Sequence, residues 1–146
     1  MFKSPPMPTP AEVTAFLARE FPQNPCQVDA LDARSATVRR RVSSADLRPG
    51  GTVAGPVLFA VADSALYVAL FGALGITPMA VTSSLNINFL SRPAADRDLI
   101  GVCSLLKVGR TLVVGEVSIY SDGHPAPVAH AVGTYALPRV QVGLTR

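Results

Sequence analysis

Residues 53–75 read VAGPVLFAVADSALYVALFGALG, and the fold turns on how this stretch is taken. Pro56 suits the first turn of a helix, because its missing N–H would find no intrahelical acceptor there and its φ is already helical. Gly72 and Gly75 read as stop signals with Pro78 beyond them, which predicts a helix over Pro56–Gly72. That helix is apolar nearly all round and so must be enclosed. One residue conflicts with this. Asp63 is the only charged side chain between Arg48 and Arg92. A carboxylate in such surroundings loses hydration and needs compensation. Such groups persist mainly where they do chemistry, bind a ligand or mark a polar path through a membrane.

The stretch from Val53 to Met79 is long enough to span a bilayer. Three features favour a helix buried in protein instead. Asp63 falls near its centre, no basic anchors flank it apart from Arg48, and the strands downstream need something apolar to cover. The 146 residues suffice for one domain with a real core. Apolar residues make up 49% and charged ones only 16%, so left-over apolar surface predicts a homo-oligomer, dimer or tetramer. The net charge of +3 suits an anionic small molecule and is too weak to indicate nucleic acid. Cys26 and Cys103 form no CxxC or Cys/His cluster and read as buried free thiols in a reducing compartment. MFKSPPMPTP has prolines where an export signal needs its apolar core, so a cytoplasmic protein is expected.

Around the central helix the chain alternates simpler elements. Residues 1–9 read as an irregular Pro-rich tail. Thr9 then caps a short helix with Pro10 at its first position, Glu12 at its third, and Val13, Phe16, Leu17 and Phe21 as its apolar stripe. Strands are predicted near Cys26–Leu31 and Ser35–Val42, with Leu47–Gly51 as a loop. Arg39–Arg41 reads as a solvated strand face or an interface rim, with ligand contact the alternative. Met79–Leu90, Leu99–Val108, Thr111–Ser121 and Pro127–Leu137 all read as strands, joined in part by turns at Gly109–Arg110 and Asp122–Gly123. The result is an α+β domain in which a curved antiparallel sheet wraps one helix. His130, mid-strand among apolar neighbours, reads as structural, and His124 as solvated. No residue cluster has metal-ligand spacing, and neither a P-loop nor GxGxxG occurs, so no metal or separate cofactor is expected.

Three segments carry a family resemblance. GGTVAGPVLFAVADSA (50–65) is similar to the pattern G-T-x-H-G-G-x-x-x-x-L-x-D-x-A. TSSLNINFLSRPA (82–94) resembles a strand ending in an aromatic, a short polar pair and Pro. VGRTLVVGEVSIYSDGHPAPVAHAVGTYAL (108–137) is similar to a closing strand, DG hairpin and strand. In this order they resemble the hotdog fold, and specifically the acyl-CoA thioesterases of the phenylacetate-degradation (PaaI-like) type.

The resemblance implies that Asp63 is the catalytic carboxylate, acting as general base or as nucleophile. It implies that Gly55 supplies a backbone N–H to the thioester oxygen across a subunit interface, and that Thr82 holds the attacking water. It also implies that Arg110 and its neighbours meet the CoA phosphates, for which Arg92, Arg97, Lys107 and Arg110 form the pool. The N-terminus of the central helix suits a developing oxyanion, and since Pro56 has no N–H, Val57 is the second donor expected beside Gly55. The chain departs from the pattern at Ala54, where the family has His, at Pro56, where it has Gly, and at Arg48, where many members have a substrate-orienting Asn. A non-catalytic acyl-CoA or fatty-acid binding protein is therefore the alternative. A hotdog hydratase would need a His near the helix, and none precedes Asn88.

Overall fold

The computed structural model describes residues 6–139, so residues 1–5 of the expected Pro-rich tail lie outside the described part. Helix α1 (Pro10–Glu20) is closed by a full capping box. Thr9 Oγ1 accepts from the Glu12 N–H and Glu12 Oε1 accepts from the Thr9 N–H, both at 3.1 Å. Such a cap stabilises a helix by about 1 kcal/mol. Val13, Phe16 and Leu17 are its buried face.

Strands β1 (Gln27–Leu31) and β2 (Ser35–Arg40) follow, then a tiny hairpin of β3 (Leu47–Arg48) and β4 (Thr52–Val53), and then helix α2 (Gly55–Leu74). Four longer strands complete the chain: β5 (Val81–Phe89), β6 (Leu99–Val108), β7 (Leu112–Ser121) and β8 (Ala129–Ala136). They form a six-stranded antiparallel sheet in the order β1-β2-β6-β7-β8-β5. The sheet curls around α2. Leu66, Leu70 and Phe71 of the helix are fully buried with Val38, Leu99, Val113, Val117 and Ile119 of the strands. This is the hotdog fold. The helix weighed above as a membrane span is the core of the domain.

Several boundaries differ from the sequence reading. Leu47 and Arg48 of the expected loop are strand β3, and residues 49–51 form the tip of the β3–β4 hairpin, where Gly50 and Gly51 take positive φ of 98° and 77°. β2 stops at Arg40 instead of Val42, and the Arg40 side chain turns inward to Asn24 at 3.3 Å and Asp46 at 3.1 Å. Asn24 in turn reaches Ser64 and the Ala60 carbonyl of α2, a buried polar tie that the apolar pattern did not reveal.

Gly72 does not stop α2. The helix runs to Leu74 and is ended by Gly75, with φ of 85° and its N–H on the Phe71 carbonyl. Gly72 is a glycine because any Cβ there would collide with the Asp32 carbonyl oxygen. Gly72→Ala is therefore expected to destabilise the protein by about 1–3 kcal/mol, even though alanine is the better helix former. Urea unfolding checks this, and an unchanged or raised midpoint would show that the β1–β2 turn can yield.

Candidate active site

Helix α2 is not enclosed on every side, although its composition predicts that it would be. Pro56 and Phe59 are exposed while Ala60 and Asp63 are half-buried, and their spacing places them along one stripe. Leu58, Val61, Ala62 and Leu66 face the core. The open stripe runs from the helix N-terminus to Asp63, so the carboxylate keeps some access to solvent.

Two hydroxyls hold that carboxylate. Thr82 Oγ1 on β5 donates to Asp63 Oδ1 at 2.6 Å, and the Tyr135 hydroxyl on β8 donates to the same oxygen at 2.8 Å. Thr82 and Tyr135 are register partners across β5 and β8, so the sheet sets the two donors side by side. Oδ2 meets no donor among the described residues. Nor does any basic side chain among them pair with Asp63, and Arg48 lies elsewhere. The Thr82 hydroxyl proton is thus engaged by the carboxylate. Burial, and then the charge of Asp63, push the Tyr135 phenol up, so it stays protonated and donates. The same causes, in the same order, raise Tyr67, one helical turn beyond Asp63. Its ring stacks on Tyr135 at 5.6 Å and its hydroxyl donates to the Pro78 carbonyl at 2.9 Å. Asp63, Tyr67, Thr82 and Tyr135 line a cavity of about 550 Å³ whose far wall is Phe16, Glu20 and Phe21.

The tip of α2 opens elsewhere. Its N-cap, Ala54, makes no side-chain hydrogen bond. The Val57 N–H, expected as a second oxyanion donor, is instead donated to the Ala54 carbonyl at 3.0 Å, because the first turn is tight. Gly55 retains an N–H without an acceptor among the described residues, at the positive end of a 20-residue helix dipole. The Phe89 ring lies so close that a Cβ on residue 55 would sit 3.3 Å from it. Arg48, Gly55, Phe89, Ser91 and Arg92 border a second cavity of about 500 Å³.

The expected phosphate-binding pool does not form one group. Register carries Leu112 to Ala136 and Ala136 to Val81, so Lys107 and Arg110, at the β6–β7 connection, lie toward the Thr82 end of the sheet. Arg92 follows the other end of β5, and Arg97 precedes β6 beside the Gly123 turn. Arg48 joins Arg92 at the Gly55 cavity.

The remaining candidates lie outside both cavities. Arg39 binds Asp29, Asp98 and Asp122 within 3.0 Å, tying β1 and β2 to the loops flanking β6 and β7. His130 pairs with Glu116 at 3.0 Å, and His124 is exposed in its turn. Cys26 and Cys103 are buried and unpaired; burial, and then the nearby Glu116, push the Cys103 thiol up to about 12. Tyr135 is the side chain of the candidate site that sequence reasoning missed. It lies 72 residues from Asp63, and nothing in GTYAL sets it apart from an ordinary strand tyrosine.

The chain is similar to known proteins in sequence and in fold. The sequence pattern of the thioesterase superfamily matches residues 50–127. A candidate thioesterase from Silicibacter sp. has a similar structure, with 41% identity, a TM-score of 0.81, and coverage of 89% of this chain and 92% of that one. A point variant of the phenylacetic acid degradation protein PaaI from Thermus thermophilus shares the fold at 23% identity and a TM-score of 0.70, covering 85% and 99% of the two chains. So does a hypothetical thioesterase from Streptococcus pneumoniae solved with coenzyme A, at 21% identity and a TM-score of 0.68, covering 77% and 87%. No curated protein sequence matches the chain.

Proposed function

Since the chain belongs to the thioesterase superfamily, we propose that it hydrolyses the thioester of an acyl-CoA in a site shared by two copies. The observation that carries this is the placement of two half-sites at opposite ends of one free sheet edge. The Asp63 cavity includes Val81 and Thr82, at the start of β5, and the Gly55 cavity includes Phe89, at its end. β5 is an edge strand of nine residues, VTSSLNINF, with no charge and no proline to blunt it. Val81 is 60% exposed and Phe89 55%. Antiparallel pairing of β5 with β5 of a second copy brings the Thr82 end of one against the Phe89 end of the other. Asp63 of one chain then faces the helix tip, Arg48 and Arg92 of its partner.

The chemistry follows from these groups. Water beside Asp63 Oδ2 loses a proton to it and attacks the thioester carbon. Charge builds on the carbonyl oxygen, where a Gly55 N–H at the helix tip stabilises it. The C–S bond breaks, and the CoA sulfur recovers the proton. In the nucleophilic variant Oδ2 attacks the carbon itself, and water then cleaves the mixed anhydride. Arg48 and Arg92 suit the CoA phosphates, and the relative solved with coenzyme A accords with that ligand.

The second reading, a non-catalytic acyl-CoA or fatty-acid binder, draws on a specific observation. Pro56 has no N–H and that of Val57 is already used, so the helix tip offers a single donor. Short, medium, long and aryl acyl-CoAs offered to the purified protein, with free thiol followed by a chromogenic reagent, separate the two. Release from at least one class is expected. Thermal stabilisation without release would establish the binder, and neither response would reject both.

A further inference from the structure

We infer that Tyr135 is a positioning residue which, together with Thr82, saturates Oδ1 of Asp63 and turns Oδ2 to the cavity as the reacting oxygen. A carboxylate oxygen offers two lone-pair sites, and here two hydroxyls converge on one of the two oxygens. Both donors come from the rigid β5–β8 ladder, whose register fixes their separation. Tyr135 is 4% exposed and stacked on Tyr67, so its ring cannot swing away. Its hydroxyl also lies 3.3 Å from the Asp63 main-chain oxygen, which aligns the helix turn as well as the side chain. Neither hydroxyl has a second proton for a water molecule. Both act on the carboxylate, and water meets Oδ2.

The inferred role in hydrolysis rests on the thioesterase reading; the hold on Asp63 does not. The titratable groups facing Asp63 are Tyr67 on its own helix, Tyr135 on β8 and Glu20 across the cavity on α1. Each donor draws electron density from Oδ1, so deleting one changes the surroundings of the Asp63 carboxyl carbon at fixed pH.

Tyr135→Phe keeps the ring and its stacking. Two measurements are made beside wild type at one fixed pH, kcat and KM on the best acyl-CoA and the chemical shift of the Asp63 carboxyl carbon by carbon-detected NMR. In the variant, kcat is expected to fall roughly tenfold with KM little changed. The Asp63 carboxyl signal should be displaced from its wild-type position. Thr82→Val, which removes the other donor, should lower kcat and displace the signal likewise. A carboxyl signal unmoved in both variants overturns the inference, whether or not wild type cleaves thioesters. A wild type inactive on every thioester, with the signal moved, sinks the hydrolase reading alone and leaves the hold on Asp63 standing.

Discussion

Asp63→Asn is expected to lower thiol release from acyl-CoA by about 10²–10⁴-fold, the contribution of a positioned base, while the protein stays folded. Asparagine is the informative substitution because of how the two oxygens are used. Its amide oxygen can take the place of Oδ1 and still accept from Thr82 and Tyr135, so the hydrogen bonds that fix the helix turn survive. Its NH₂ group replaces Oδ2, the oxygen left to the cavity, and can neither take a proton nor attack a carbonyl. Alanine would confuse the result. It would leave the buried Tyr135 hydroxyl without its carboxylate partner, at a cost of about 1–3 kcal/mol. An Asp63→Asn protein with wild-type turnover in the thiol assay would remove Asp63 from the chemistry.

The second large effect concerns assembly. Ser84→Lys combined with Asn86→Lys is expected to convert the protein to a monomer and to abolish hydrolysis in the same step. Both residues are exposed near the middle of β5, and neither side chain makes a hydrogen bond among the described residues. If two β5 strands pair about their centre, four ammonium groups are brought together on one short ladder, and like charges placed opposite each other are destabilising. The folded monomer should survive, since β5 would still pair with β8 along its other edge. Light scattering reports the mass and thiol release reports the activity. A monomeric variant that still turns over would show that one chain holds a complete site. A variant that remains a dimer would move the interface to another surface.

Much of the fold was legible in the chain because the signals are local. Pro56 and the apolar run after it mark a core helix, and alternation along β7 marks a strand with one buried face, because these periods belong to neighbouring residues. Asp63 stood out for the same reason, as a lone charge in an apolar run. The site was less legible. Gly72 read as a terminator because glycine commonly ends helices, yet here it makes room for a carbonyl from the β1–β2 turn. Val57 read as a free donor because its N–H has no partner four residues back, but the tight first turn gave it one at Ala54.

The sequence alone determined that one acid would sit on a core helix within an α+β domain, since burial pattern and charge are properties of the residues in order. Only the tertiary structure decided which oxygen of that acid is held and by what, because Thr82 and Tyr135 meet through sheet register. It also decided that the basic residues part company between the two ends of the sheet. Contacts between distant segments depend on how the chain closes, and no local period records that.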